Sequence, residues 1–156
     1  MLQLSDNEQD GFDSEPTEPS LAAPRARVLV VDDEPTSRDA IATKLRLDGY
    51  DVYVACSGDE ALGMLAMMHS GGWPTDDVDL LVLNPHMHGR CGVSVLREVR
   101  SEQSTIPALF IADSPDPGLF TIAALLGARV MLKPINLDRL GDATIKLILA
   151  RPPTPR

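Results

Sequence analysis

The sequence predicts an α/β domain of the (βα)5 type, a five-stranded parallel sheet wound on both faces by helices. Three observations predict it. Short aliphatic runs alternate with longer amphipathic stretches five times along the chain. The aliphatic runs are continuous rather than alternating, as strands buried on both faces require. The segments between successive runs are long enough for helical crossovers, which makes the sheet parallel and its connections right-handed.

RVLVVD (27–32) is the first strand, a β-branched run that ends in acids. TSRDAIATKLRLDG (36–49) is the first helix. Ala40, Ile41, Lys44, Leu45 and Asp48 are expected along one side, and Gly49 is a suitable stop. YDVYVA (50–55) is the second strand. Ser57 is placed to cap the helix GDEALGMLAMMH (58–69), with Glu60 at the capping-box position. SGGWPTDD (70–77) is a polar turn holding Trp73. VDLLVL (78–83) is the third strand, and residues 92–102 form a helix with Val93, Leu96 and Val99 on one side. PALFIA (107–112) is the fourth strand, GLFTIAALLGA (118–128) a short apolar helix, and RVMLK (129–133) the fifth strand. LDRLGDATIKLILA (137–150) closes the domain, with Leu140, Ile145, Leu147, Ile148 and Leu149 as its apolar residues.

Charge and length bound the function. The chain has 156 residues and a formal net charge of -9, which is one domain's worth of chain. Residues 1–24 hold six acids and no base, and they are poor in apolar groups. Such a segment cannot bury enough surface to offset its ordering entropy, so it is expected to be a disordered acidic tail. Residues 25–150 form the domain, and 151–156, RPPTPR, are a second tail. No basic stripe for nucleic acid is present. No run approaches the ~18 apolar residues that span a bilayer, and no basic leader precedes an apolar stretch. Cys56 and Cys91 lack metal-site spacing and read as free thiols. A cytoplasmic location is expected.

In a three-layer sheet of order 2-1-3-4-5, the flavodoxin-like order, strands one and three are neighbours. Ligands bind where their carboxyl ends meet. Four sets of residues should converge there: Asp32, Asp33 and Glu34 after strand one, Asn84 after strand three, Ala112 at the end of strand four, and Lys133 at the end of strand five. Adjacent carboxylates with a third oxygen suit Mg²⁺, and a lysine opposite suits an anion. This layout fits phosphoryl chemistry on a carboxylate.

VLVVDDEP (28–35), DLLVLN (79–84) followed by MHG (87–89), IPALFIAD (106–113) and GARVMLKP (127–134) resemble, in order and spacing, the receiver domain of bacterial two-component response regulators. The resemblance covers about residues 25–150. It implies a CheY-like fold and a phosphorelay role. It also implies that Asp32 and Asp33 bind Mg²⁺, that Lys133 is the salt-bridging lysine, and that a cis bond precedes Pro134.

The same resemblance marks what is missing. Asn84 stands where the family has its phospho-acceptor aspartate, Ala112 where it has a hydroxyl that contacts the phosphoryl group, and Val130 where it has an aromatic that turns inward. His88 replaces the usual proline of the loop. The expectation is therefore a degenerate pseudo-receiver that is not phosphorylated at this site and binds Mg²⁺ weakly, with Asn84 and His86 as further donors. Lys133 is expected to face Asp32 and Asp33 as a standing salt bridge. His86 with Asp32 and Asp33 is a second metal constellation, set against the plainer reading of His86 and His88 as solvated loop residues.

The chain ends six residues after the last helix, so a stand-alone, non-enzymatic protein acting by protein–protein contact is expected. Its partner would be a histidine kinase or another regulator, or a second copy joined through the 118–150 face that receivers use for partners. One alternative is a working receiver modified at another residue. Another is a small Mg²⁺-dependent phosphoryl-transfer enzyme, whose candidate nucleophiles Thr36 and Ser114 lack a neighbouring base.

Overall fold

The runs of valine, leucine and isoleucine form the strands, and the amphipathic stretches wrap them. In a computed structural model that describes residues 25–68, 78–102 and 104–151, the order is β1 (Arg27–Val31), α1 (Pro35–Leu47), β2 (Asp51–Ala55), α2 (Gly58–Met67), β3 (Leu80–Leu83), α3 (Gly92–Ser101), β4 (Ala108–Ala112), α4 (Pro117–Leu126), β5 (Ala128–Leu132) and α5 (Leu137–Ala150). The expected acidic tail, the 70–77 turn with Trp73, and residues 152–156 lie outside the described residues.

All five strands are parallel, in the order β2-β1-β3-β4-β5. Every residue of β1, β3 and β4 is buried. Alternation along them divides the core in two. Leu29, Val31, Leu81, Leu83 and Phe110 pack with residues of α2, α3 and α4. Val28, Val30, Val82, Leu109 and Ile111 pack with Ile41 and Leu45 of α1 and Leu140 of α5. The three-layer winding follows from this two-residue period.

Register brings the strand ends to one rim. Val31 lies beside Ala55 and Leu83, and Ala112 beside Leu132. The ladder continues one residue further: the Asp32 N–H donates to Ala55 O, the Asn84 N–H to Val31 O, and the Lys133 N–H to Ala112 O. Asp32, Asn84, Ala112 and Lys133 are thereby held by backbone hydrogen bonds at the carboxyl edge. Asp79 sits at the opposite edge, where its carboxylate accepts from the Arg27 N–H. It is therefore remote from the rim.

Several local expectations need correction. α1 buries Ile41, Ala42 and Leu45, whereas Ala40 is exposed. In α5 the buried stripe is Leu140, Gly141, Ala143 and Thr144, while Ile145 and Leu149 are 49% and 78% exposed. Apolar content alone could not choose this stripe, since at 3.6 residues per turn Ile145 and Leu149 fall on the far side. α4 ends at Leu126 because Gly127 takes a left-handed φ of 69°, so β5 begins at Ala128, inside the stretch expected to be helical. The Ser57 cap forms, with the Glu60 N–H donating to its Oγ, but Glu60 reaches back to the N–H of Cys56 rather than of Ser57. Among the described residues no helix is long and apolar enough to cross a membrane.

Candidate functional site

Asp32 follows β1 and is 2% exposed. Its Oδ1 accepts from the Glu34 N–H at 2.9 Å and from Asn84 Nδ2 at 3.0 Å. Asn84 is also buried, and its Oδ1 accepts from the His86 N–H at 3.0 Å. Donor chemistry dictates this amide orientation. A carboxylate can only accept and an N–H can only donate, so the NH₂ must face Asp32 and the oxygen must face His86. Both ends of the amide are thus engaged. The side-chain oxygen of Asn84, one of the donors expected for a metal, accepts from the His86 N–H.

Among the described residues, nothing hydrogen-bonds to the buried Asp32 Oδ2. Lys133 Nζ lies 3.9 Å from it and, more closely, 3.2 Å from Asp113 Oδ1. Lys133 follows β5 and precedes the cis peptide bond to Pro134. The lysine therefore bridges Asp32 and Asp113, not Asp32 and Asp33. Asp113 was missed as a member of the site although it ends the IPALFIAD stretch, directly after β4. Removing the lysine takes an ion-pair partner from a buried carboxylate. Lys133→Ala is expected to cost about 1–2 kcal/mol, below the range for a fully buried pair because the separation is long. Asp113→Asn, on a largely exposed side chain, should stay within about 0.5 kcal/mol. Thermal unfolding of the two variants measures the contrast.

Glu34 leaves the site altogether. It caps α1, accepting from the N–H groups of Thr36 and Ser37. Asp33 is engaged by the loop. Its Oδ2 accepts from the His88 N–H at 3.1 Å and lies 3.0 Å from His88 Nδ1. These hydrogen bonds, the His88 side chain first, hold the Asp33 carboxyl below its ordinary value. A carboxyl with a depressed folded pKa adds stability above its unfolded pKa, near 3.8, and loses it as pH falls through the lower folded value. His88→Ala should therefore reduce the drop in urea midpoint between pH 5 and pH 3. Equal drops in both proteins would refute this.

His86 turns the other way, with its Nε2 4.0 Å from Asp116 Oδ2 at the cap of α4. The constellation of His86 over the acid pair does not form, and both histidine side chains are exposed to solvent, the His88 ring lying against Asp33 at the surface. Among the described residues no group of three or more His, Cys, Asp and Glu side chains is arranged to hold a metal ion.

Gly92 opens α3 directly beneath this loop. A Cβ there would overlap the carbonyl oxygen of Asn84, so the close approach of α3 to the rim requires glycine. Ala112 is 2% exposed and offers only a methyl group. Val130 is half-buried in the edge strand.

A carboxylate pair, an amide and a lysine on the carboxyl rim of a 2-1-3-4-5 parallel sheet define a receiver-type signalling module. A family profile, the response regulator receiver domain, matches residues 28–145, and the chain belongs to that family. It is 34% identical over 125 residues to a probable transcriptional regulator, ycf27, of Cyanidium caldarium, covering 80% of this chain and 46% of that protein. It is 34% identical over 95 residues to the alkaline phosphatase synthesis transcriptional regulatory protein SphR of Synechococcus elongatus, covering 60% and 37%. The chain thus spans less than half the length of either relative. Among solved structures, the chemotaxis protein CheY4 of Vibrio cholerae superposes with a TM-score of 0.69 at 24% identity, covering 80% of this chain and 99% of that one. The HemR receiver domain of Leptospira biflexa, in its non-phosphorylated form, gives 0.71 at 21% identity, covering 83% and 99%. Both likenesses speak to the fold. The family is a signalling domain of two-component systems, and its members bind Mg²⁺ at the phosphorylation site.

Proposed function

We propose that this receiver holds one conformation without phosphorylation and signals by protein–protein contact. The observation that carries the reading is the hydrogen bond from Asn84 Nδ2 to Asp32 Oδ1. The acid pair of a receiver needs a cation and an acceptor carboxylate to complete it. Here an amide donates directly to one acid, Lys133 lies beside its other oxygen, and the His88 loop satisfies Asp33. Hydrogen bonds within the chain thus engage Asp33 and one oxygen of Asp32, and Lys133 stands against the negative charge of the rim.

An amide oxygen is a poor nucleophile toward a phosphoryl donor, and Ala112 has no hydroxyl to contact a phosphoryl oxygen. The site fits Mg²⁺ only loosely. The unpartnered Asp32 Oδ2 favours a cation, but Asp33 is held by His88 and the neutral amide removes one negative charge. A metal bound there would supply charge neutralisation and nothing more.

An enzymatic reading has less support. Glu34, the acid nearest Thr36 in sequence, is spent on helix capping. The partner fitting a receiver is a protein, a histidine kinase or another regulator, or a second copy meeting the 118–150 face. Incubating the wild-type chain with acetyl phosphate and Mg²⁺ and mapping the product by mass spectrometry tests the proposal. No acyl phosphate is expected. A stoichiometric aspartyl adduct anywhere on the rim would overturn it.

A further inference from the structure

A groove of about 510 Å³ runs along the outer edge of β5 between α4 and α5. Phe120, Val130 and Leu132 line it with apolar surface. Phe120 and Leu132 are 43% and 36% exposed, so both offer apolar surface to a ligand. Arg129, Arg139 and Lys146 line the same groove, against a single acid, Asp142. Among the described residues no ion pair engages these three cations. Val130 lines the groove while packing partly against the core.

The chain itself carries a segment of matching chemistry. EQDGFDSE, residues 8–15, sets Glu8, Asp10, Asp13 and Glu15 around Phe12, and residues 1–24 contain no lysine or arginine. Phe12 is the aromatic residue of that stretch. The described chain enters at the amino end of β1, where Arg25 lies 4.0 Å from Asp51 at the start of β2. Phe12 stands thirteen positions earlier, a reach of about 40 Å when extended. Three strand spacings, roughly 14 Å, separate β1 from β5, and β5 is an edge strand. The tether is long enough, and a short tether holds a ligand at an effective concentration on the order of 1 mM. Even a weak contact is then populated.

We propose that residues 8–15 dock in this groove in cis, Phe12 against Val130 and Leu132, with the flanking acids against Arg129, Arg139 and Lys146. The chain thereby covers its own α4–β5–α5 surface, and any protein that binds there must displace the acidic segment. The groove and the rim are different sites, so this docking does not rest on the absence of phosphorylation at Asn84.

The test uses the full chain. With benzoylphenylalanine at position 12, irradiation should cross-link position 12 to residues 120–146 within a monomer. Hydrogen exchange of the 129–132 and 139–146 amides should be at least fivefold faster in a Phe12→Ala, Asp10→Asn, Asp13→Asn, Glu15→Gln variant than in wild type. Raising NaCl to 0.5 M should speed the wild type likewise, because ionic contacts at this surface are screened. Unchanged exchange in the variant overturns the proposal, as do cross-links to other parts of the domain. Cross-links that form only between chains and grow with concentration also overturn it, in favour of a second copy as the occupant.

Discussion

Asn84→Asp is expected to acquire a Mg²⁺-dependent acyl phosphate from acetyl phosphate, where the wild-type chain acquires none. The substitution restores a nucleophilic oxygen at a position whose backbone is already held by the Asn84 N–H to Val31 O bond. It also converts an attractive contact into a repulsive one. Asn84 Nδ2 lies 3.0 Å from Asp32 Oδ1, and two carboxylate oxygens at that separation repel by about 5 kcal/mol at an effective dielectric near 20. The metal-free variant should therefore unfold at a lower temperature than wild type, with Mg²⁺ reversing the loss. Calorimetric titration should show Mg²⁺ binding at least about tenfold tighter than to wild type, the equivalent of roughly 1.4 kcal/mol. The modification should stop at the rim, because Ala112 cannot hydrogen-bond the phosphoryl group and Val130 has no ring to turn. Exchange rates of the 120–146 amides should then be the same before and after labelling. A variant that stays unlabelled at saturating Mg²⁺ would show that the pocket lacks more than its carboxylate.

Gly92→Ala is expected to be the most damaging single methyl group near the site. The added Cβ would overlap the Asn84 carbonyl oxygen, which is backbone and cannot swing aside. α3 buries Val95, Leu96 and Val99 against the sheet, so relieving the overlap means lifting part of that face from the core. A loss of about 3 kcal/mol is expected, or roughly 10 °C in melting temperature for a domain of this size. Gly63→Ala is the control. It lies within α2 with nothing near its Cβ direction, so the change should stabilise slightly, by helix propensity. Equal melting temperatures for Gly92→Ala and wild type would show that the loop relaxes freely and that the glycine is not a packing requirement.

The strands were legible because a parallel sheet covered on both faces needs uninterrupted apolar runs, and each run stands out against its polar flanks. The sheet order came from the resemblance to receiver domains, whereas the residues at the strand ends could be named because each strand ends where its apolar run ends. α4 and β5 were less legible. GLFTIAALLGARVML is apolar through both elements, and only the left-handed turn at Gly127 separates them. The exposed face of α5 was illegible for a related reason, since it holds more apolar residues than its buried stripe needs.

At the site, sequence alone determined which groups stand on the rim: two acids, an amide, a methyl group and a lysine. That much is local, because position along a strand decides which residue comes last. Tertiary structure decided how those groups pair. Lys133 bridges Asp32 to Asp113, His88 rather than His86 meets the acid pair, Glu34 turns away to cap a helix, and the Asn84 amide is engaged at both ends. These choices depend on separations of a few ångströms between residues up to about a hundred positions apart. Spacing along the chain carries no information at that scale.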